Sequence, residues 1–389
     1  MENLAALDQK HFIHPTSSIQ EQQVSGPKAI FSRGEGIYLF DRDGNKYIDA
    51  MSSLWNVNIG HGRGEIAAVA KEQMEKLAYS SAFATFSHEP AIRLAAKLAS
   101  LAPGDLNAVF FTSGGSESND TAIKLIRHYW KLQGKAKKKK IITLKRAYHG
   151  VAAASTSATG IPEFWEMAGH LTTGNIHVAN PYMSTATQAI TNLQETIETE
   201  GAENIAAFMI EPVQGSGGVL IPPDDYLRDV RRVCKDNDIL FVADEVITGF
   251  GRTGKMFGVQ NWGIQPDVMT FAKGVTSGYL PLGGVMVSDK IHEIFKEKST
   301  GTLFHGFTYS GHPTATAIAL KNIEIIEREH LIQHAQKMGE LLLKGLQTIR
   351  GKLAIVGDVR GIGLLAALEL VADKAANKRF DPEKRLRLR

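Results

Sequence analysis

Cysteine is nearly missing from this chain. Cys234 is the only one in 389 residues. An intramolecular disulfide is therefore excluded, and a reducing, cytoplasmic setting is expected. An excess of one charge is missing too. Lys and Arg number 44 against 41 Asp and Glu, a formal net charge of +3, which is too small to argue for a nucleic-acid partner. No apolar run approaches the roughly 20 residues that a bilayer span needs. The opening MENLAALDQKHFIHP has neither the basic start nor the apolar stretch of a secretory signal, so no membrane partner is expected. The thirteen histidines and one cysteine show no metal-ligand spacing, and no metal is expected. The basic run Lys137 to Lys140 reads as a solvated loop.

What is present is a long alternation of apolar runs and amphipathic stretches. Residues 1–30 are polar and read as irregular. A hairpin is expected where the strand-like pieces 36–40 and 46–49 flank Asp43-Gly44. AVFFT (108–112), IITLK (141–145), AAFMIE (206–211), ILFVAD (239–244), VMTFA (268–272) and GVMV (284–287) suit strands buried on both faces. Residues 117–133 and 226–236 repeat apolar side chains at helical spacing. Strands alternating with helices give an α/β fold with a largely parallel sheet. Residues 313–350 then read as long helices, and 353–356 and 363–369 as strands of a smaller terminal domain.

Three places carry chemistry. The strand ILFVAD ends in Asp244-Glu245, and ligands in open α/β sheets bind beyond the carboxyl ends of strands. Lys273 follows another buried strand and precedes small residues. Partial desolvation lowers a lysine's pKa and opens imine chemistry to it. The two lie 29 residues apart, about one strand–connection–strand unit. In FTSGGSESND (111–120) a strand runs through glycines into a helix, so the N–H groups of Gly114, Gly115 and Ser116 face an anion. The P-loop lysine is missing, which disfavours a nucleoside triphosphate. Gly249, Gly251 and Gly254 spell G-x-G-x-x-G, but no helix opens there and no acid follows about 20 residues on, which argues against a nicotinamide fold. Tyr148-His149-Gly150 follows the 141–145 strand and could stack an aromatic or imidazole ring on a flat cofactor. A phosphate cradle, a strand-end acid and a strand-end lysine are together what pyridoxal 5'-phosphate (PLP) requires.

From about Phe31 to Val371 the sequence resembles the class III aminotransferases, especially the omega-amino-acid and amine–pyruvate transaminases. MSSLWNVNIGHGR (51–63), FTSGGSESNDTAIKLIRHYW (111–130), YHG (148–150), EPVQGSGG (211–218), DEVITGFGRTG (244–254), AKG (272–274) and HGFTYSGHP (305–313) stand in the family's order. The resemblance implies PLP fold type I. A large domain, residues 61–310, would hold a mostly parallel seven-stranded sheet. A smaller α+β domain would combine residues 1–60 with 311–389. It also implies that Lys273 is the Schiff-base lysine and Asp244 the partner of the pyridine nitrogen. Val246 and Tyr148 would pack on opposite ring faces, and Gly115 and Ser116 would hold the phosphate. Thr308 would reach the phosphate of a second subunit, giving a homodimer. Leu54, Trp55 and Phe83 resemble the substrate-pocket wall, and Glu211 and Gln214 lie near the cofactor. The implied reaction moves an amino group from an amine or omega-amino acid to a keto acid such as pyruvate.

Beyond residues 369–374 the resemblance stops. The family continues with more of the small domain and an arginine, in a segment like L-I-x-R-x-x-G-D, that grips the keto acid's carboxylate. This sequence ends RFDPEKRLRLR, and none of Arg379, Arg385, Arg387 and Arg389 matches that motif. A truncated or frame-shifted small domain is the expectation, with stability and activity impaired. An aminomutase or decarboxylase on the same scaffold, or a silent PLP-binding protein, are the alternative readings.

Overall fold

A computed structural model describes residues 3–169, 171–376 and 378–381. Its centre is a seven-stranded sheet in the order β4-β10-β9-β8-β7-β5-β6. The strands are Leu106–Thr112 (β4), Lys140–Leu144 (β5), Asn175–Val178 (β6), Ile205–Ile210 (β7), Leu240–Asp244 (β8), Val268–Phe271 (β9) and Gly283–Ser288 (β10). Only β10 runs against its neighbours; the other pairings are parallel. Alternate residues supply the two faces. Phe208, Ile210, Phe241, Ala243, Met269 and Phe271 join one core, and Met209, Leu240, Val242, Val268 and Val285 join the other. Each of these side chains larger than alanine contributes on the order of 1.5–3 kcal/mol by burial. That explains why these strands read as unbroken apolar runs.

Two small antiparallel sheets flank the large one. Phe31–Glu35 (β1), Tyr38–Asp41 (β2) and Lys46–Ile48 (β3) form the first; Val356–Ile362 (β11), Leu365–Asp373 (β12) and Lys378–Arg379 (β13) form the second. The Asp43-Gly44 turn joins β2 to β3 as its sequence requires, with Gly44 at φ 85°. The long helices Pro313–Arg328 and Leu331–Lys352 lie between the sheets in sequence. No helix of the described residues is long and apolar enough to cross a membrane.

Three expectations are corrected. The first 30 residues are not irregular throughout: Leu4–His11 and Ile19–Ser25 are helical, because the Asn3 and Ser18 side chains cap them by accepting from Ala6 and Glu21 N–H. The expected strand over 353–356 begins only at Val356, since the preceding helix runs to Lys352 and residues 353–355 must reverse the chain. Lys138 is not solvated. It is 4% exposed, and its ammonium donates to the carbonyls of Ala202 (2.9 Å), Ile205 (3.2 Å) and Asp238 (2.6 Å).

Candidate active site

Asp244 ends β8 and Lys273 follows β9, its parallel neighbour, so both emerge at the same carboxyl edge. Asp244 is almost fully buried. Its Oδ2 accepts from Asn119 Nδ2 (2.7 Å) and His149 Nδ1 (2.8 Å), and its Oδ1 accepts from the Val246 N–H (3.1 Å). A buried carboxylate needs such partners, and these three leave it oriented as well as satisfied. Asn119 also donates to the His149 carbonyl (2.7 Å). His149 is enclosed, and its Nε2 has no partner among the described residues.

Lys273 sits at a left-handed φ of 48°, in a short turn over Lys273–Val275. Two ties hold that turn. Asn322 Nδ2 donates to the carbonyls of Gly274 and Val275, each 2.9 Å. Ser118 Oγ, from the first turn of the Gly115–Leu132 helix, donates to the Phe271 carbonyl (3.1 Å). Burial holds the Lys273 ammonium below the ordinary lysine range, and the charges of Asp244 and Glu211 only partly oppose this. Its Nζ stands 5.5 Å from the centre of the Trp55 ring.

The glycine-rich turn after β4 delivers the start of the Gly115–Leu132 helix to the same edge, with Gly114 as its extended cap. The amides of the first turn have no intrahelical acceptor and suit an anion. A Cβ on Gly115 would come within 2.9 Å of Val246 Cγ1, so the helix start and the Asp244 turn touch. A Cβ on Gly150 would lie 2.5 Å from Ser116 Oγ, which brings the 148–150 segment against the same helix. Ser116 Oγ also accepts from Val151 N–H (3.1 Å).

Tyr148 and Glu211 meet beside these groups: the Tyr148 N–H donates to Glu211 Oε1 (2.8 Å), and Gly215 N–H donates to Oε2 (2.9 Å). Full burial pushes Glu211 up to about 7. Burial, with the charges of Asp244 and Glu211, also raises the Tyr148 phenol. Gln214 is engaged elsewhere. Its amide bonds to Asn180 and to the Lys145 carbonyl.

The remaining expected residues are more open. Leu54 is 59% exposed and Phe83 49%, while Trp55 packs against the main core. Phe83 lies against Gly306. Thr308 is exposed, with its carbonyl held by Tyr79 Oη at 2.7 Å. Arg379 pairs with Glu369 (3.1 Å); Arg385, Arg387 and Arg389 lie outside the described residues.

Sequence reasoning missed two groups. Asn119 stood inside a motif already singled out, and only its distance from Asp244 in the chain hid the pairing. The sequence suggests His149 as a stacking ring, yet it is turned edge-on to Asp244 as a hydrogen-bond donor. A hydrogen bond across 95 residues has no local signature.

Residues 19–386 match the family Aminotransferase class-III. A putrescine–pyruvate aminotransferase of Pseudomonas aeruginosa is 42% identical over 386 residues, covering 96% of this chain and 84% of the relative. The crystal structure of a transaminase from the marine bacterium Virgibacillus superposes with a TM-score of 0.97 at 66% identity, over 98% of this chain and 86% of that one. An omega-transaminase of Pseudomonas jessenii in complex with PMP does so with a TM-score of 0.95 at 41% identity, over 98% and 86%. The chain belongs to the class III aminotransferases, a PLP-dependent family, and is a transaminase.

Proposed function

We propose that this site holds PLP and transfers the amino group of a primary amine or omega-amino acid to a keto acid such as pyruvate. The observation that carries the reading is the junction of three groups at one sheet edge. These are a desolvated amine at Lys273, a carboxylate held by three donors at Asp244, and a helix start at Gly115-Ser116 pressed against the Asp244 turn. The fit to a phosphorylated ring is physical. A side chain at Gly115 would fill the space beside Val246, and the first-turn amides offer donors to a dianion. PLP, when bound, supplies an aldehyde that condenses with amines and a ring that accepts negative charge.

The chain's own groups then have separate tasks. Lys273 Nζ would anchor the cofactor and would serve as the base at the substrate carbon, a task its lowered pKa favours. Asp244 would face the ring nitrogen and favour its protonated form, and Asn119 and His149 fix the direction of the carboxylate. Val246 and Tyr148 would cover the two ring faces, and Gly115 and Ser116 would receive the phosphate. Glu211, and at one remove Gln214, would line the cofactor's surroundings, while Leu54, Trp55 and Phe83 wall the substrate.

We also propose that residues 1–60 and 311–389 form the smaller domain against the 61–310 unit, and that the enzyme acts as a cytoplasmic homodimer. The exposed aromatic patch of Tyr79, Phe83, Phe86, Phe304 and Tyr309 supports a partner at the Thr308 loop. The single cysteine, buried at Cys234, is compatible with a reducing compartment. The test compares wild type with Lys273→Ala. Wild type with PLP should gain a visible absorbance band that an added amine bleaches, with stoichiometric aldehyde or ketone released. Lys273→Ala should show neither the lysine-dependent band nor turnover. A wild type that never develops the band would sink the assignment.

A further inference from the structure

The substrate-facing stretch of the N-terminal segment has an unusual backbone. Ser52, Ser53 and Trp55 hold φ values of 51°, 56° and 58°, in the left-handed region that residues with a Cβ avoid. Such a run persists only where its surroundings over-determine it. The surroundings here are specific. Arg252 Nη2 donates to Ser52 Oγ (3.1 Å) and to Asn58 Oδ1 (2.5 Å), bracketing the strained residues from both ends. Asp49 accepts from Ser53 N–H (2.7 Å) and Ser53 Oγ (3.0 Å) and is itself held by His61 (2.8 Å).

Arg252 is fixed in turn. Its carbonyl accepts from Leu364 N–H (3.0 Å), at the turn between β11 and β12. Its guanidinium is largely buried, and among the described residues no carboxylate is in ion-pair contact with it and its Nε has no partner. A buried cation so incompletely paired is costly, so a structural cement would be better made of other residues. Beside the clamp, Asn58, Phe250, Arg252, Leu331, His334 and Leu364 line a cavity of about 70 Å³. Asn58 and Arg252, the two ends of one clamp bond, thus both border open space. Its front edge is Trp55, whose ring stands 5.5 Å from Lys273 Nζ.

We propose that Arg252 is a positioning residue that sets the size of amine the site accepts, by clamping this strained wall forward over Lys273. The inference rests on the reading of Lys273 and Trp55 given above. Losing the clamp frees Asn58 to shift into the cavity it borders, lets the strained 52–55 backbone relax and widens the pocket.

The test uses the PLP-loaded enzyme, a short alkyl amine and a bulky aryl-substituted amine. In Arg252→Met the ratio of kcat/KM, bulky over short, should rise about tenfold, the worth of one or two hydrogen bonds. Ser52→Ala, which removes the tie but keeps a Cβ at φ 51°, should shift the ratio the same way. Ser52→Gly, which removes tie and strain together, should stay near the wild-type ratio. Hydrogen exchange in the 49–58 peptide should accelerate in Arg252→Met, with or without PLP. If Arg252→Met fails to fold, Arg252→Lys and the Ser52 pair carry the comparison. Equal losses for both amines, or a Ser52→Gly shift as large as that of Ser52→Ala, would overturn the clamp. A wild type without the PLP band would instead overturn the functional reading, and the exchange data would still decide whether Arg252 holds the wall.

Discussion

Glu245 follows Asp244 and is fully buried beside it, yet its surroundings give it a different task. It accepts from Thr248 Oγ1 (2.5 Å), Gly258 N–H (2.7 Å) and Val259 N–H (2.8 Å), so it closes the 245–258 loop on itself. Burial raises its pKa from 4.5 to about 7 despite these donors, and the neighbouring Asp244 charge adds to the rise. The unfolded chain then ionises near pH 4.5 while the folded chain keeps its proton up to about pH 7. The unfolded state binds fewer protons in that window, so this group's contribution is full below pH 4.5 and is lost as pH climbs to about 7. At roughly 1.4 kcal/mol per unit the loss is about 3 kcal/mol. Denaturant unfolding of wild type and Glu245→Gln from pH 5 to 8 should show the variant's destabilisation largest at pH 5 and shrinking by that order toward pH 7.5. A pH-independent difference would mean that Glu245 titrates normally. The adjacent pair of acids was legible in the sequence; their division of labour was not, because it depends on which amides each carboxylate meets.

At the scale of elements, the six apolar runs were legible because a strand buried on both faces has no alternative composition. β6 and β13 were not. Both are edge strands, and NIHV and Lys378-Arg379 carry too little apolar content to stand out from loop. The docking of helices was equally hidden. Gly339 lies midway along Leu331–Lys352, where a Cβ would come within 2.1 Å of the Gly363 carbonyl. Gly363, at φ 57°, in turn presses on the backbone of Thr253 and Gly254. Helix, β11–β12 turn and the loop bearing Arg252 therefore meet at three backbones with no room for a side chain. Gly339→Ala should gain up to about 1 kcal/mol of helix propensity but lose more by overpacking, on the order of 1–3 kcal/mol. Chemical denaturation should give a net loss, and the bulky-amine ratio should move with it if the turn also steadies Arg252. A variant as stable as wild type would show that the crossing tolerates displacement.

At the scale of the molecule, the class III family was legible from motif order, but the task of Thr308 is not set by the contacts of its own chain. It is exposed, and its loop is held by Tyr79 at the edge of the aromatic patch rather than by any of the groups around Lys273. If Thr308 completes the partner's phosphate site, lesions at Lys273 and Thr308 on different chains must complement. Thr308→Glu would set a carboxylate against the phosphate and should disable the site it faces. A mixed dimer of Lys273→Ala and Thr308→Glu chains then has one site carrying both lesions and one carrying neither. Random exchange of equal amounts makes about half the dimers mixed, so about a quarter of wild-type activity should return, from two preparations that are each inactive. If Thr308 served its own chain's site instead, every site in the mixture would keep one lesion, and mixing would recover nothing. Activity measured before and after subunit exchange separates the two arrangements without any assumption about the amine.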